Sequence, residues 1–312
     1  MDLRPEGVRD FFAYARERHS VYLRRASGQP PPWTDDPVIA GHRFTNVYRE
    51  LDRTTIWCRQ HVRERYDGTP EVLPAVVLFR WFNRIETGEA MFSKAPGLLS
   101  NCSPFDHWVK GGPDAVNVLR TAILKHIGPS GPYTNPAYIV KSPNGMDKLT
   151  GVLWCVEKFR TAVIDGKTWA LAAREMAEGK WNLERSWNWL REHDHQGDFT
   201  AYEVISDLRH THLLRGANDI NTWANAGPGA IRGLNRVQGR DVRQSLRKAD
   251  SLAEMQALLE ESRKIHNWPV RDPRWPRWEM REVEHTLCEA DKHQRVTLGQ
   301  GRAKQVYHAR PE

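Results

Sequence analysis

The segment Glu284-His-Thr-Leu-Cys-Glu-Ala-Asp-Lys292 concentrates groups that move protons or attack electrophiles. Wound as a helix, it stacks Glu284, Cys288 and Asp291 or Lys292 one turn apart, so a carboxylate, a thiol and an ammonium share a face. Glu284 or Glu289 is then a candidate general base, and Cys288 a candidate nucleophile activated by the neighbouring lysine. The same pattern also fits a buried cysteine flanked by solvated charges. A second concentration, Arg43-Phe-Thr-Asn-Val-Tyr-Arg-Glu-Leu-Asp-Arg53, predicts a helix with Asn46, Arg49 and Arg53 on one face and Asp52 close by; Arg80-Trp-Phe-Asn83 repeats the theme. Such groups suit either a site that reads a base and its phosphate or an ion-pair network joining helices.

The stretch Ile220 to Arg236 predicts a helix entering a tight Gly227-Pro228-Gly229 hairpin and a second helix leaving it. Glycines there let the chain turn and bring backbone N–H groups of a helix start close to a phosphate, with Arg232 and Arg236 adding charge one turn apart. An ordinary corner between two helices with a glycine cap has the same pattern. No GxxxxGK[ST] occurs, so no phosphate loop for a nucleoside triphosphate is expected. Cys58-x-x-His61, or Cys102 with His107, matches no common zinc spacing, and no metal or cofactor is expected.

Positioning these groups falls to helices. Apolar residues recur every three or four positions over Val8–Leu23, Val47–Val62 and Val72–Ile85, and strict alternation is scarce, which predicts an all-α fold. Further helices are expected over Val116–His126, Met146–Val163, Thr168–Met176, Leu183–Glu192 and Phe199–Leu208, punctuated by Gly28–Pro32, Asp67–Pro70 and Gly111–Asp114. The Pro- and Gly-rich run 128–136 is either a substrate loop or a plain connector. The simplest partition is one helical domain over 1–293, with its helix-hairpin-helix at about 216–237, and an irregular basic tail over 294–312.

The 46 Lys and Arg against 39 Asp and Glu give a net charge of +7, compatible with a polyanionic partner. Most of the 13 tryptophans read as packing anchors, but the Arg274–Trp278 run is a candidate stacking platform. Four scattered cysteines argue against a disulfide framework and for a reducing compartment. With no long apolar run and a charged N-terminus, the expected location is the cytoplasm, without a membrane partner.

Taken in order, FTNVYRELDR (44–53), FRWFNRIET (79–87), YEVISDLRHT (202–211), TWANAGPGAIRGLNRV (222–237) and VEHTLCEADKHQRV (283–296) resemble a phage-associated family. It is the α-glutamyl/putrescinyl thymine pyrophosphorylase group, whose helical domain is also labelled the 5-hydroxymethyl-deoxyuridine DNA kinase helical domain. The resemblance implies a helical fold like that of helix-hairpin-helix DNA glycosylases and a role in thymine hypermodification of phage DNA, in an infected bacterial host. In that pathway a P-loop kinase pyrophosphorylates 5-hydroxymethyluracil in DNA, and an amino acid:DNA transferase replaces the pyrophosphate with an amino acid. The expected role here is the transferase, with glycine as one possible amino acid. Its partners would be double-stranded DNA containing modified thymine, the free amino acid and the kinase. The catalytic set would then be Glu284, Cys288, Glu289, Asp291 and Lys292, the base and pyrophosphate would meet Asn46, Arg49, Asp52, Arg80 and Asn83, and the duplex would meet Gly227, Gly229, Arg232 and Arg236. Rival readings are a glycosylase for a modified base and a non-catalytic DNA-binding partner of the kinase. Asp241 follows the hairpin in a polar Gly-Arg-Asp-Val-Arg run, unlike the apolar setting of a glycosylase aspartate.

Overall fold

The computed structural model describes residues 2–99, 101–136, 142–143, 145–166, 168–265, 278–303 and 307. Every regular element among them is helical. In chain order the first are α1 (Pro5–Ala26), α2 (Pro37–Gly41), α3 (Arg53–Cys58), α4 (Glu64–Tyr66), α5 (Val72–Phe82), α6 (Ile85–Phe92) and α7 (Pro104–Val109). They are followed by α8 (Ala115–Ile127), α9 (Lys148–Phe159), α10 (Thr168–Ala177), α11 (Leu183–Arg191) and α12 (Asp198–Leu208). Last come α13 (Pro228–Val237), α14 (Lys248–Lys264) and α15 (Met280–Thr297). No helix among the described residues is long and apolar enough to cross a membrane, and none of the four cysteines is in a disulfide.

Contacts divide the chain into two compact units, 1–52 with 220–312 and 53–219, where the sequence pattern suggested one continuous domain over 1–293. The first unit is built on α13 and α15. Ala230, Gly233, Leu234 and Val237 recur at helical spacing and are buried, facing an α15 stripe that includes Val283, Leu287 and Ala290. Glycine sets the approach: a Cβ on Gly233 would lie 2.4 Å from the Leu287 carbonyl oxygen, and one on Gly229 would lie 2.3 Å from Cys288 Sγ. α1 closes on the end of α13 in the same way, because a Cβ on Gly7 would meet the Val237 carbonyl oxygen. Arg4 donates to that oxygen through Nε at 3.2 Å, satisfying a helix-terminal acceptor.

In the second unit α5 is buried along its whole length, as an element apolar on every side must be. It ends at Asn83, whose left-handed φ of 47° a short polar side chain tolerates. Ser103 and Asp106 form a capping box at α7, and Asp147 and Asn182 cap α9 and α11. The 128–136 loop is pinned: the Asn135 N–H donates to the Phe82 carbonyl at the end of α5 (3.0 Å), and Thr87 Oγ1 donates to the Tyr133 carbonyl (2.7 Å). These bonds anchor it to the end of α5 and to α6.

Three expectations need correction. Residues 209–227 contain turns and irregular chain, so no helix enters the Gly-Pro-Gly turn and only its outgoing helix, α13, is present. Residues 43–48 are not helical and 49–51 form a single 3₁₀ turn, because Asn46 and Asp52 bond the local backbone in place of a helical ladder. Helix α15 continues to Thr297, past the expected tail boundary at 294.

Candidate functional site

In the first unit, the 44–52 bend and α15, more than two hundred residues apart in sequence, come together. Asp52 folds the bend by accepting from the Asn46 N–H through Oδ1 (2.8 Å) and from Arg49 Nη1 through Oδ2 (3.1 Å). Asn46 Nδ2 donates to the Leu51 carbonyl (2.9 Å), and Asn46 Oδ1 accepts from Arg18 Nη2 of α1 (2.8 Å). Thr45 then reaches α15: its N–H donates to Glu289 Oε2 (3.1 Å) and its hydroxyl bonds His285 Nε2. Lys292 Nζ lies 2.9 and 2.7 Å from the two Glu289 oxygens and 3.0 Å from the Arg43 carbonyl. It also sits 4.5 Å over the Phe44 ring.

Burial sets the charge states here. It raises the Asp52 carboxyl above the ordinary range, an effect opposed by Arg49. Burial, reinforced by Arg49, Arg281 and Lys292, lowers His285 well below its usual value, so the ring is neutral near pH 7. Burial and then the Glu289 carboxylate raise Tyr14, whose hydroxyl is buried with no hydrogen-bond partner among the described residues. Beside this group, Glu284 Oε1 accepts from the Gly227 N–H at the start of α13 (3.4 Å).

Residues 6–303 match the family described as 5-hmdU DNA kinase, helical domain. The chain belongs to that family. A 5-hmdU DNA kinase of Bacillus phage SP10 is 27% identical over 248 residues, covering 73% of this chain and 35% of the relative. The chain thus spans about a third of the length of that relative. No solved structure matches it significantly.

Within this family domain, Asn46, Arg49, Asp52, Glu289 and Lys292 converge, with Glu284 and Cys288 on the same helix; other residues singled out from the sequence do different work. Burial pushes the Cys288 thiol up to about 12, with Glu284 and Glu289 adding to the shift. Lys292 is held by Glu289, so the expected lysine-activated thiolate is replaced by a neutral thiol packed on Gly229. Asp291 is 1% exposed and accepts from Arg232 Nε and Arg236 Nε, each at 2.8 Å. This clamp joins α13 to α15 and takes Asp291 out of the catalytic set; Arg236, 8% exposed, is committed to it as well, whereas Arg232 keeps 36% of its side chain exposed. Gly229 likewise serves helix packing.

Arg80 and Asn83 belong to the second unit and line no open site. Arg80, 1% exposed, places Nε 2.5 Å and Nη2 2.9 Å from the two Asp207 oxygens, while Nη1 reaches Asn83 Oδ1 (3.0 Å) and Glu203 Oε2 (3.3 Å). Arg63 Nη1 adds a contact to Asp207 at 3.5 Å. Of the proposed Arg274–Trp278 platform, 274–277 lie outside the described residues and Trp278 is buried. Asp241 is exposed and accepts from the Arg243 N–H in a local turn.

Sequence reasoning overlooked Tyr14, Arg18, Thr45 and His285. Spacing alone could have flagged His285, one turn before Cys288 and Glu289 on the same helix. Nothing in the α1 pattern marks Arg18 as a partner of the 44–46 segment or Tyr14 as a neighbour of His293 on α15.

Proposed function

We propose that this chain acts in 5-hydroxymethyluracil modification of phage DNA, and that it transfers an amino acid onto the pyrophosphorylated base. The carrying observation is the convergence of the 45–52 bend on Glu284–Lys292, within the span that matches the family. The name of the phage relative supplies the modified base.

The chemistry suits the groups present. A base extruded from the stack presents its methylene, the amine attacks, a C–N bond forms and the C–O bond to pyrophosphate breaks, with pyrophosphate leaving on the electron pair. Arg49 and Lys292 supply positive charge for the leaving group. Glu284 takes the amine proton: it is the more accessible of the two candidate carboxylates, whereas both Glu289 oxygens face Lys292 and one also accepts from Thr45. Glu289 thereby positions the cation. His285, neutral and bonded to Thr45, holds the bend against α15.

The test is mass spectrometry of nucleosides from 5-hydroxymethyluracil DNA incubated with a 5-hmdU DNA kinase, ATP, this protein and mixed amino acids. An amino-acyl thymidine that requires this protein supports transfer. Abasic sites would indicate a glycosylase. DNA binding with no product would indicate a part that presents DNA to a kinase, a reading favoured by the name of the relative and by the third of its length that the chain spans.

A further inference from the structure

We propose that the second unit carries a stacking site for an unpaired nucleobase of a DNA strand; this rests on reading the chain as a protein that acts on DNA. Two adjoining recesses of about 460 and 240 Å³ share Trp181, Asn182 and Arg185. The larger lies within the ~300–1,000 Å³ usual for ligand sites. Helix α11 creates them by turning Leu183, Ser186, Trp187 and Leu190 inward, which leaves Arg185, Asn188 and Trp189 toward the surface.

The aromatic floor is fixed. Trp181 and Trp189 meet edge to face at 5.7 Å, and Trp181 Nε1 donates to Glu175 Oε2 at 2.7 Å. The Arg185 guanidinium lies 4.8 Å over the Trp181 ring, and its side chain is 58% exposed, so a planar cation already stacked on an indole offers its outer face to solvent.

What this floor takes follows from what surrounds it. The first backbone donors of α11 are occupied, since Asp219 accepts from Leu183 N and Glu184 N and Asn182 accepts from Arg185 N, each at 2.9 Å. A phosphate therefore finds no helix terminus to bind. Glu184 and Glu192 balance Arg185 and Lys180 around the two recesses, which favours a neutral occupant. Ala217 is the one aliphatic lining side chain, so an apolar helix or acyl chain finds little to pack on. A flat, neutral ring with a hydrogen-bonding edge suits the indoles, the guanidinium face and the Asn188 and Asn218 amides. Base-on-aromatic stacking of this kind tolerates any sequence.

The test is fluorescence anisotropy of the full chain with a short single-stranded oligonucleotide and with an abasic strand of the same length. Trp189→Ala should weaken binding of the base-bearing strand by about tenfold and hardly change binding of the abasic strand, and Trp189→Phe should restore most of the loss. Arg185→Ala, at an exposed position, gives the same comparison if Trp189→Ala lowers the melting temperature. Equal binding of the base-bearing strand by wild type and these variants overturns the proposal, as does absence of single-strand binding. Free thymidine monophosphate displacing the strand at equimolar concentration would assign the recess to free nucleotide and also overturn it. Neither kinase nor amino acid is present, so this result is separable from failure of the transfer reading.

Discussion

Arg80 in the second unit spends Nε, Nη1 and Nη2 on Asp207, Asn83 and Glu203 and is 1% exposed, whereas the Arg49–Asp52 pair of the first unit retains 12% and 18% exposure. Around the latter lie a neutral imidazole, a lysine 23% exposed at its Glu289 partner and a buried tyrosine hydroxyl without a hydrogen bond among the described residues. Both networks look alike as residue types. Exposure separates them: a buried arginine bonded on every side locks packing, and groups left partly accessible beside a neutral imidazole can meet a substrate.

The largest effect should come from Arg80→Ala, which leaves Asp207 buried with much of its counter-charge gone. A stability loss of about 3–5 kcal/mol in urea unfolding is expected, with activity per folded molecule preserved. Activity lost at full stability would move Arg80 back to the substrate. Gly233→Ala comes next, since the added methyl meets the Leu287 backbone and neither helix can yield cheaply; overpacking costs about 1–3 kcal/mol. A melting temperature unchanged by this variant would refute the close approach of α13 and α15.

A smaller, pH-dependent effect belongs to Glu282, which burial raises from 4.5 to about 8. The folded chain keeps this proton where the unfolded chain has released it, so the contribution of Glu282 to stability falls as pH rises from about 4.5 to about 8. Glu282→Gln keeps an acceptor for the Glu279 N–H and removes the titration. Its melting temperature should equal that of the wild type near the bottom of this window and exceed it near the top; a difference constant with pH would contradict the assignment. The smallest effect is predicted for Cys288→Ser, which should change DNA affinity and transfer rate by less than about twofold because the thiol is neutral at working pH. Loss of transfer with retained binding would restore a covalent role.

Some helix positions were legible from the 3.6-residue period of apolar residues: the expected Val116–His126 is α8 and Leu183–Glu192 is α11, each to within a residue. The helix expected across Arg43–Arg53 was not legible as a bend, because local side-chain bonds from Asn46 and Asp52 override the periodicity. The Gly-Pro-Gly turn announced a helix start correctly, but the chain before it, in turns, carries no pattern that distinguishes it from a helix end. At the site, the clustering within 284–292 was visible from spacing. Which carboxylates were already spent was not, since the pairing of Asp291 with Arg232 and Arg236 depends on how α13 packs on α15.

The most direct measurement of the central claim is amino-acyl thymidine formation by wild type and Glu284→Gln, followed by mass spectrometry at about pH 6.5 and about pH 9, either side of an α-amine near pKa ~8. Loss of a general base predicts a deep deficit at the lower pH that shrinks toward wild type at the higher one, with DNA affinity and melting temperature unchanged. An equal deficit at both pH values, or no deficit at either, would contradict the placement of proton removal in the first unit.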